Sequence, residues 1–188
     1  MTSRKPILKD FPSEFTTDRL VIRMPMPGDG AAVHQAITHS LAELKPWMPF
    51  ANKDQTVEDV EANIRESYVQ FLKREDLRLL VFLKETGEFV ASSGLHRIDW
   101  DVPKFEIGYW IDTRHSGKGY ITEAVDGIGR FAFEKLQANR VEIRCDSKNG
   151  KSRAVAERNG YTLEGILQND DRGVDGELRD TCVYAKVR

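Results

Sequence analysis

The sequence predicts a mixed α/β (α+β) fold with about seven strands and four helices, mainly antiparallel at its start and carrying one β-α-β crossover at its centre. Three observations support this. Apolar residues change repeatedly between a period of two and a period near four. Two apolar runs, Leu79–Leu83 and Phe89–Leu95, flank the turn sequence Glu85-Thr86-Gly87-Glu88, as in a hairpin. An apolar stretch, Phe105 to Asp112, leads through a glycine turn directly into a helical pattern.

Residues 1–16 form an expected lead-in, with Pro6 and Pro12 opposing regular structure. Residues 17–188 are expected to be one domain, since 188 residues suffice for a single sizeable core. Leu20–Met24 reads as a strand ended by Pro25 and Pro27, and 30–40 as a helix with Val33, Ala36 and Ile37 on one face. Leu44 to Phe50 carries two prolines and apolar bulk, which suits either a substrate mouth or a packed loop. Thr56 opens a long helix, with Asp59 placed for a capping box. After the hairpin and the strand at 105, Ile121, Ala124, Val125, Ile128, Phe131, Ala132 and Leu136 share a helical face. Val141–Cys145 is a further strand, and Ser152 opens a short helix that Asn159-Gly160 stops. Tyr161–Leu167 and Thr181–Val187 are the last strands, joined by an acidic connection from Asn169 to Asp180.

Charged residues make up 31% and hydrophobic residues 40%, ordinary for a globular chain, and a net charge of −2 argues against nucleic-acid binding by electrostatics. No apolar run approaches a membrane span and Met1 to Pro6 lacks a signal-peptide core, so the expected location is cytoplasmic. Cys145 and Cys182 lie far apart in sequence, without a histidine at metal-ligand spacing. Neither a disulfide nor a metal is expected. The four histidines are scattered and read as surface or packing residues.

The chemistry centres on Arg114-His115-Ser116-Gly117-Lys118-Gly119-Tyr120. Two glycines at a helix start let a ligand approach bare backbone, and the unpaired N–H groups of the first turn favour an anion. The alternative is two glycines in an ordinary turn. The ATP-loop pattern fails because Asp112 stands at its first glycine, and the dinucleotide pattern fails because Thr122 stands at its third. What remains is R-x-x-G-x-G, as Arg114, Gly117 and Gly119.

That pattern, between a strand and a helix, resembles the acyl-CoA pyrophosphate loop of the GNAT superfamily of N-acetyltransferases, and the predicted element order matches the GNAT fold. Further text resembles the RimJ/RimL group of ribosomal-protein N-terminal acetyltransferases: Ile107–Trp110, Gly117–Ala124, Asn149–Tyr161 and Leu163–Gly165. The resemblance implies acetyl-CoA as cosubstrate and no metal. The implied acceptor is a protein N-terminal amine, with a small amine (polyamine, antibiotic or amino acid) or a non-catalytic acyl-CoA-binding module as alternatives. No nucleic acid or membrane partner is implied, and a homodimer is left open.

Acetyl transfer needs a docked thioester, a deprotonated amine, a polarised carbonyl and a proton for the leaving thiolate. Docking falls to the loop from Arg114 through Gly117 and Lys118 to Gly119 and Tyr120, with His115, Lys148, Lys151 and Arg153 adding positive charge. Gly108 inside a strand marks a bulge or a close backbone approach. The resemblance implies that a bulge there splays the strand from its neighbour, so that pantetheine lies along the backbone of Tyr109, Trp110 and Ile111. It also implies Glu106 as base, often through water, and Asp171 where RimL-like enzymes carry a glutamate; either acid also suits a purely structural role. Asn149 and Ser152 are the candidates for the thiolate end, Asn149 holding the pantetheine arm by resemblance and Ser152 doubling as a helix cap. Cys145 falls near the expected sulfur position by resemblance, although a packing role suits a buried cysteine better.

Overall fold

The computed structural model describes residues 5–188; the first four residues of the lead-in lie outside the described residues. The remainder of the lead-in is more ordered than its prolines suggest. Pro6–Leu8 makes a short 3-10 turn, and strand β1 (Glu14–Thr16) pairs antiparallel with β2 (Leu20–Arg23). Helices α1 (Gly30–Leu44) and α2 (Val57–Lys73) follow, then strands β3 (Leu77–Leu83), β4 (Phe89–Asp99) and β5 (Lys104–Ile111). Helix α3 (Tyr120–Glu134) crosses to β6 (Arg140–Asp146), and α4 (Gly150–Arg158) leads to the hairpin of β7 (Thr162–Arg172) and β8 (Leu178–Val187).

The eight strands form one sheet in the order β1-β2-β3-β4-β5-β6-β8-β7. Every neighbouring pair is antiparallel except β5 and β6, which the α3 crossover makes parallel. Successive residues on β3 serve opposite faces. Leu77, Leu79 and Val81 join α3 and α4 residues such as Val125, Ile128 and Val155 in the main core, while Leu80 joins Val33, Ile37, Val60 and Ile64 under α1 and α2.

The capping box at α2 forms as the spacing predicts: Thr56 Oγ1 accepts from the Asp59 N–H at 3.1 Å, and Asp59 Oδ2 accepts from the Thr56 N–H at 2.8 Å. Three expectations need correction. The acidic segment from Asn169 to Asp180 is not simply a connection, since β7 runs to Arg172 and β8 starts at Leu178; Arg179 Nη2 meets Asp171 Oδ2 across the ladder at 2.9 Å. Ser152 does not cap α4, because Asn149 Oδ1 accepts from the Ser152 N–H at 3.1 Å and takes that role itself. Gly108 marks no bulge against β4, for the register runs unshifted from His96↔Glu106 through Gly94↔Gly108 to Ala91↔Ile111. Among the described residues, no helix is long and apolar enough to cross a membrane.

Candidate active site

The sheet divides at β5 and β6. Their parallel register ends with Phe105↔Val141 and Glu106↔Glu142, after which β5 follows β4 to Ile111 and β6 follows β8 to Asp146. The result is a wedge between two strands that each remain paired on their other side. The expected splay is present, and its origin is the end of the parallel ladder. A cavity of about 770 Å³ opens there, lined by Tyr109, Trp110 and Ile111 from β5 and by Lys148, Asn149, Lys151 and Ser152 around the start of α4. Trp47 and Met48 also line it, so the proline-broken segment after α1 serves as a mouth.

The phosphate loop lies at the wide end. Gly117 and Gly119 adopt left-handed backbone angles, φ 76° and 80°, that side-chain-bearing residues resist. The N–H groups of Gly117, Lys118 and Gly119 find no acceptor among the described residues. Those of Tyr120, Ile121 and Thr122 at the start of α3 have no helical partner either, the ladder beginning with the Glu123 N–H on the Gly119 carbonyl at 3.0 Å. A strap from the β2 side holds the loop. Arg19 donates from Nη1 to the Lys118 carbonyl at 3.1 Å and from Nε to Glu123 Oε2 at 2.7 Å. Glu123 Oε1 accepts from the Thr17 hydroxyl and from the Arg19 N–H. Sequence reasoning missed this strap, since Thr17 and Arg19 lie about a hundred residues from Glu123 in a chain read one segment at a time.

The basic residues divide into two groups. Lys148 and Lys151 line the cavity. Arg114 is clamped instead to the fully buried Asp112, with Nη2 2.6 Å from Oδ2, which leaves its charge largely matched. Burial works against an ionised Asp112, yet the Arg114 contacts hold its pKa below the usual carboxylate value. His115 turns inward, buried and edge-on to Tyr120 with Nε2 3.3 Å from Glu88 Oε1, so its imidazole does not face the loop surface. Arg153 is likewise engaged, through the Tyr184 hydroxyl and the Ser147 carbonyl.

At the narrow end, Tyr109 spans the wedge and donates its hydroxyl to the Ser152 carbonyl at 2.7 Å. Burial, with Cys145 and two further tyrosines nearby, raises the Tyr109 phenol well above its ordinary value, so it stays protonated. The Ser152 hydroxyl makes no hydrogen bond among the described residues and lines both the main cavity and a smaller one of about 180 Å³ beside Cys145. Burial pushes the Cys145 thiol up to about 12, an unreactive protonated state. Cys145 faces Cys182 across β6 and β8 as a pair of free thiols, although the two are distant in sequence.

The two candidate bases share a pocket of about 100 Å³ with Arg97, Arg144 and Arg179. Burial raises the Glu106 pKa, partly offset by Arg97 at 3.5 Å and Arg144 at 4.0 Å. Asp171 is exposed, and its hydrogen bond from Arg179 lowers its pKa. His96, unassigned by sequence reasoning, stands opposite Glu106 in the ladder with Nδ1 2.7 Å from Asp76 Oδ2. Its ring covers Gly108, where a Cβ would lie 3.3 Å from Cδ2, so the bare backbone at 108 is what lets the ring sit there.

Comparison with known proteins agrees with this geometry. Residues 19–162 match the family model described as acetyltransferase (GNAT) domain. YdaF of Bacillus subtilis (strain 168), provisionally named a ribosomal N-acetyltransferase, is 32% identical over 174 residues, covering 91% of this chain and 92% of YdaF. The ribosomal-protein-serine acetyltransferase of Escherichia coli (strain K12) is 29% identical over 141 residues, 75% of each chain. The solved structure of RimL, a ribosomal L7/L12 alpha-N-protein acetyltransferase in complex with coenzyme A, superposes with a TM-score of 0.84 at 22% identity, covering 91% of this chain and 95% of RimL.

Proposed function

The chain belongs to the GNAT acetyltransferase family, and we propose that it moves the acetyl group of acetyl-CoA to a primary amine, the N-terminal α-amino group of a ribosomal protein. The observation that carries this is the wedge beside the phosphate loop, with unpaired β5 backbone at one end and free N–H groups at the other. A long, thin thioester with a pyrophosphate suits that shape and charge. The protein acceptor rests on the likeness to YdaF and to the Escherichia coli ribosomal-protein-serine acetyltransferase.

The thioester carbonyl lies along Tyr109 to Ile111, where a backbone N–H facing the wedge stabilises the developing oxyanion. The amine nitrogen attacks the acetyl carbon, its proton passes to Glu106 directly or through water, and the carbon–sulfur bond breaks. Asp171, tied to Arg179, is the weaker candidate for that proton. Ser152 offers its free hydroxyl to the departing sulfur. The Asn149 side-chain nitrogen, unused by the cap, faces the pantetheine arm.

Incubating the protein with acetyl-CoA and a panel of N-terminal peptides and small amines tests the function, with acetylated peptide as the expected product. Acetyl-CoA binding without transfer to any amine would leave a sensing module in its place. Ser152→Ala tests the thiolate end. With Asn149 as the cap, the variant is expected to melt like wild type, whereas Asn149→Ala costs about 1 kcal/mol. Turnover by Ser152→Ala should fall roughly tenfold or more at an unchanged Michaelis constant for acetyl-CoA. Wild-type turnover would assign thiolate protonation to water or to the product amine.

A further inference from the structure

A second cavity, of about 400 Å³, lies under α1 and α2 and shares Met48, Tyr109 and Trp110 with the main one. Its floor is formed by Arg78 on β3, Ser92, Ser93 and His96 on β4 and Gly108 on β5, with Gly94 of β4 standing between Arg78 and Gly108 in the register. Neither glycine raises a side chain, and the His96 ring occupies the space this leaves, 2.9 Å from where a Cβ at 94 would sit and 3.3 Å from one at 108, so it borders the way from Arg78 to the wedge. Arg78 and Gly108 are two strand spacings apart, roughly 10 Å.

Arg78 is the arginine of this cavity. Arg23, Arg114, Arg140 and Arg179 each hold a carboxylate, at 2.8, 2.6, 2.5 and 2.9 Å. Arg78 has no such partner among the described residues. It donates from Nη1 to Asn63 Oδ1 at 2.6 Å and to Ser67 Oγ at 3.3 Å, and from Nε to Ser92 Oγ at 3.1 Å. All three acceptors are neutral, and Nη2 donates to nothing described. No aspartate or glutamate lines the cavity. Asp76 acts on this guanidinium through space but forms no ion pair with it, being held instead by His96 Nδ1 at 2.7 Å. A guanidinium held largely out of water with a donor unused still favours a further negative group, and its planar fork fits a carboxylate.

We infer that Arg78 reads a carboxylate on the acceptor, one lying a few bonds from the amine that is acetylated. With the amine at the wedge beside Gly108 and Tyr109, the carboxylate reaches back through this cavity, past the His96 ring, to Nη2. Phe50 and Trp110, with ring centroids 6.0 Å apart, wall the space between. Two sources carry this chemistry: the α-carboxylate of a free amino acid, and an acidic side chain beside a peptide N-terminus. The inference rests on the acyltransferase reading and narrows its substrate.

The test compares matched acceptors on the wild-type protein: free serine against serinamide, and peptides beginning Ser-Glu against the same peptides beginning Ser-Gln. The expected result is a preference of roughly tenfold or more in kcat/KM for the acid in one pair, and that pair identifies the source. Arg78→Met should reduce the ratio to near one while leaving acetyl-CoA affinity, measured by calorimetry, unchanged. Because Arg78 also ties α2 to β4, Arg78→Lys serves as a milder variant that keeps the charge and loses the fork, and a partial preference is expected of it. Equal rates within both pairs on wild type, or a preference that survives Arg78→Met, would overturn the assignment. Acetyl-CoA binding with transfer to none of the four acceptors or the wider amine panel would remove the acyltransferase reading itself, and this assignment with it.

Discussion

Gly117→Val is expected to remove measurable acetyl-CoA binding while leaving the far-UV circular dichroism spectrum native. No heavy atom lies within 4 Å of where a Cβ at 117 would sit, so the added bulk meets nothing inside the protein. It stands on the open side of the loop, where a phosphate must approach the N–H groups. The positive φ adds a local strain of about 1–2 kcal/mol, which the rest of the fold can absorb. Calorimetry should show affinity lowered roughly a hundredfold or more. Gly117→Ala shares the strain with less bulk and should lose less. ATP and NAD should not compete, because neither loop pattern is present. Unchanged affinity in the valine variant would place the phosphates elsewhere.

Glu106→Gln should lower turnover by roughly a hundredfold at nearly constant acetyl-CoA affinity, provided this carboxylate takes the amine proton. A base works in its ionised form, so the rate climbs as pH rises through its pKa. Burial raises the Glu106 pKa, which puts that ascending limb above the usual carboxylate range; an Asp171 limb would lie below it. The glutamine variant should lack the limb. The same shift controls stability. A folded-state pKa above the unfolded one means that the contribution from protonated Glu106 is complete at low pH and is lost as pH rises through the folded value. At neutral pH the glutamine variant should therefore melt no lower than wild type, so lost turnover will not be lost fold. If Asp171→Asn shows this signature and Glu106→Gln does not, the two acids exchange roles.

The parts of the site legible in sequence are those that depend on near neighbours. Gly117 and Gly119 announce a left-handed loop because few other residues tolerate it, and the period change at Tyr120 marks where α3 begins. Glu106 came from the family resemblance, and its place two residues before Gly108 says only that the two share a strand face. Asn149 and Ser152 are both good caps three residues apart, and only the donor–acceptor pairing between them decides which is the cap. The far parts of β7 and the start of β8 escaped because a strand solvated on both sides need not alternate, and their Asp and Asn residues read as loop. Arg78, His96 and the Arg19–Glu123 strap were invisible for a different reason. Their meaning lies in what stands opposite them, which the fold alone supplies.

A sheet that parts between two adjacent strands has open edges inside the molecule as well as at its rim. The backbone of β5 beyond Glu106 has no partner on its β6 side, so the free chain carries an unfinished ladder at its centre. Whatever fills the gap and pairs with it acts on the folded form alone. By mass action, a molecule at a hundred times its dissociation constant adds about 2.7 kcal/mol of stability, a sizeable part of what usually holds a domain together. On the proposed reading, in which acetyl-CoA fills this gap, the cosubstrate is also a structural member, standing where a strand would. Its concentration then bears on how readily the chain unfolds, besides how fast it turns over.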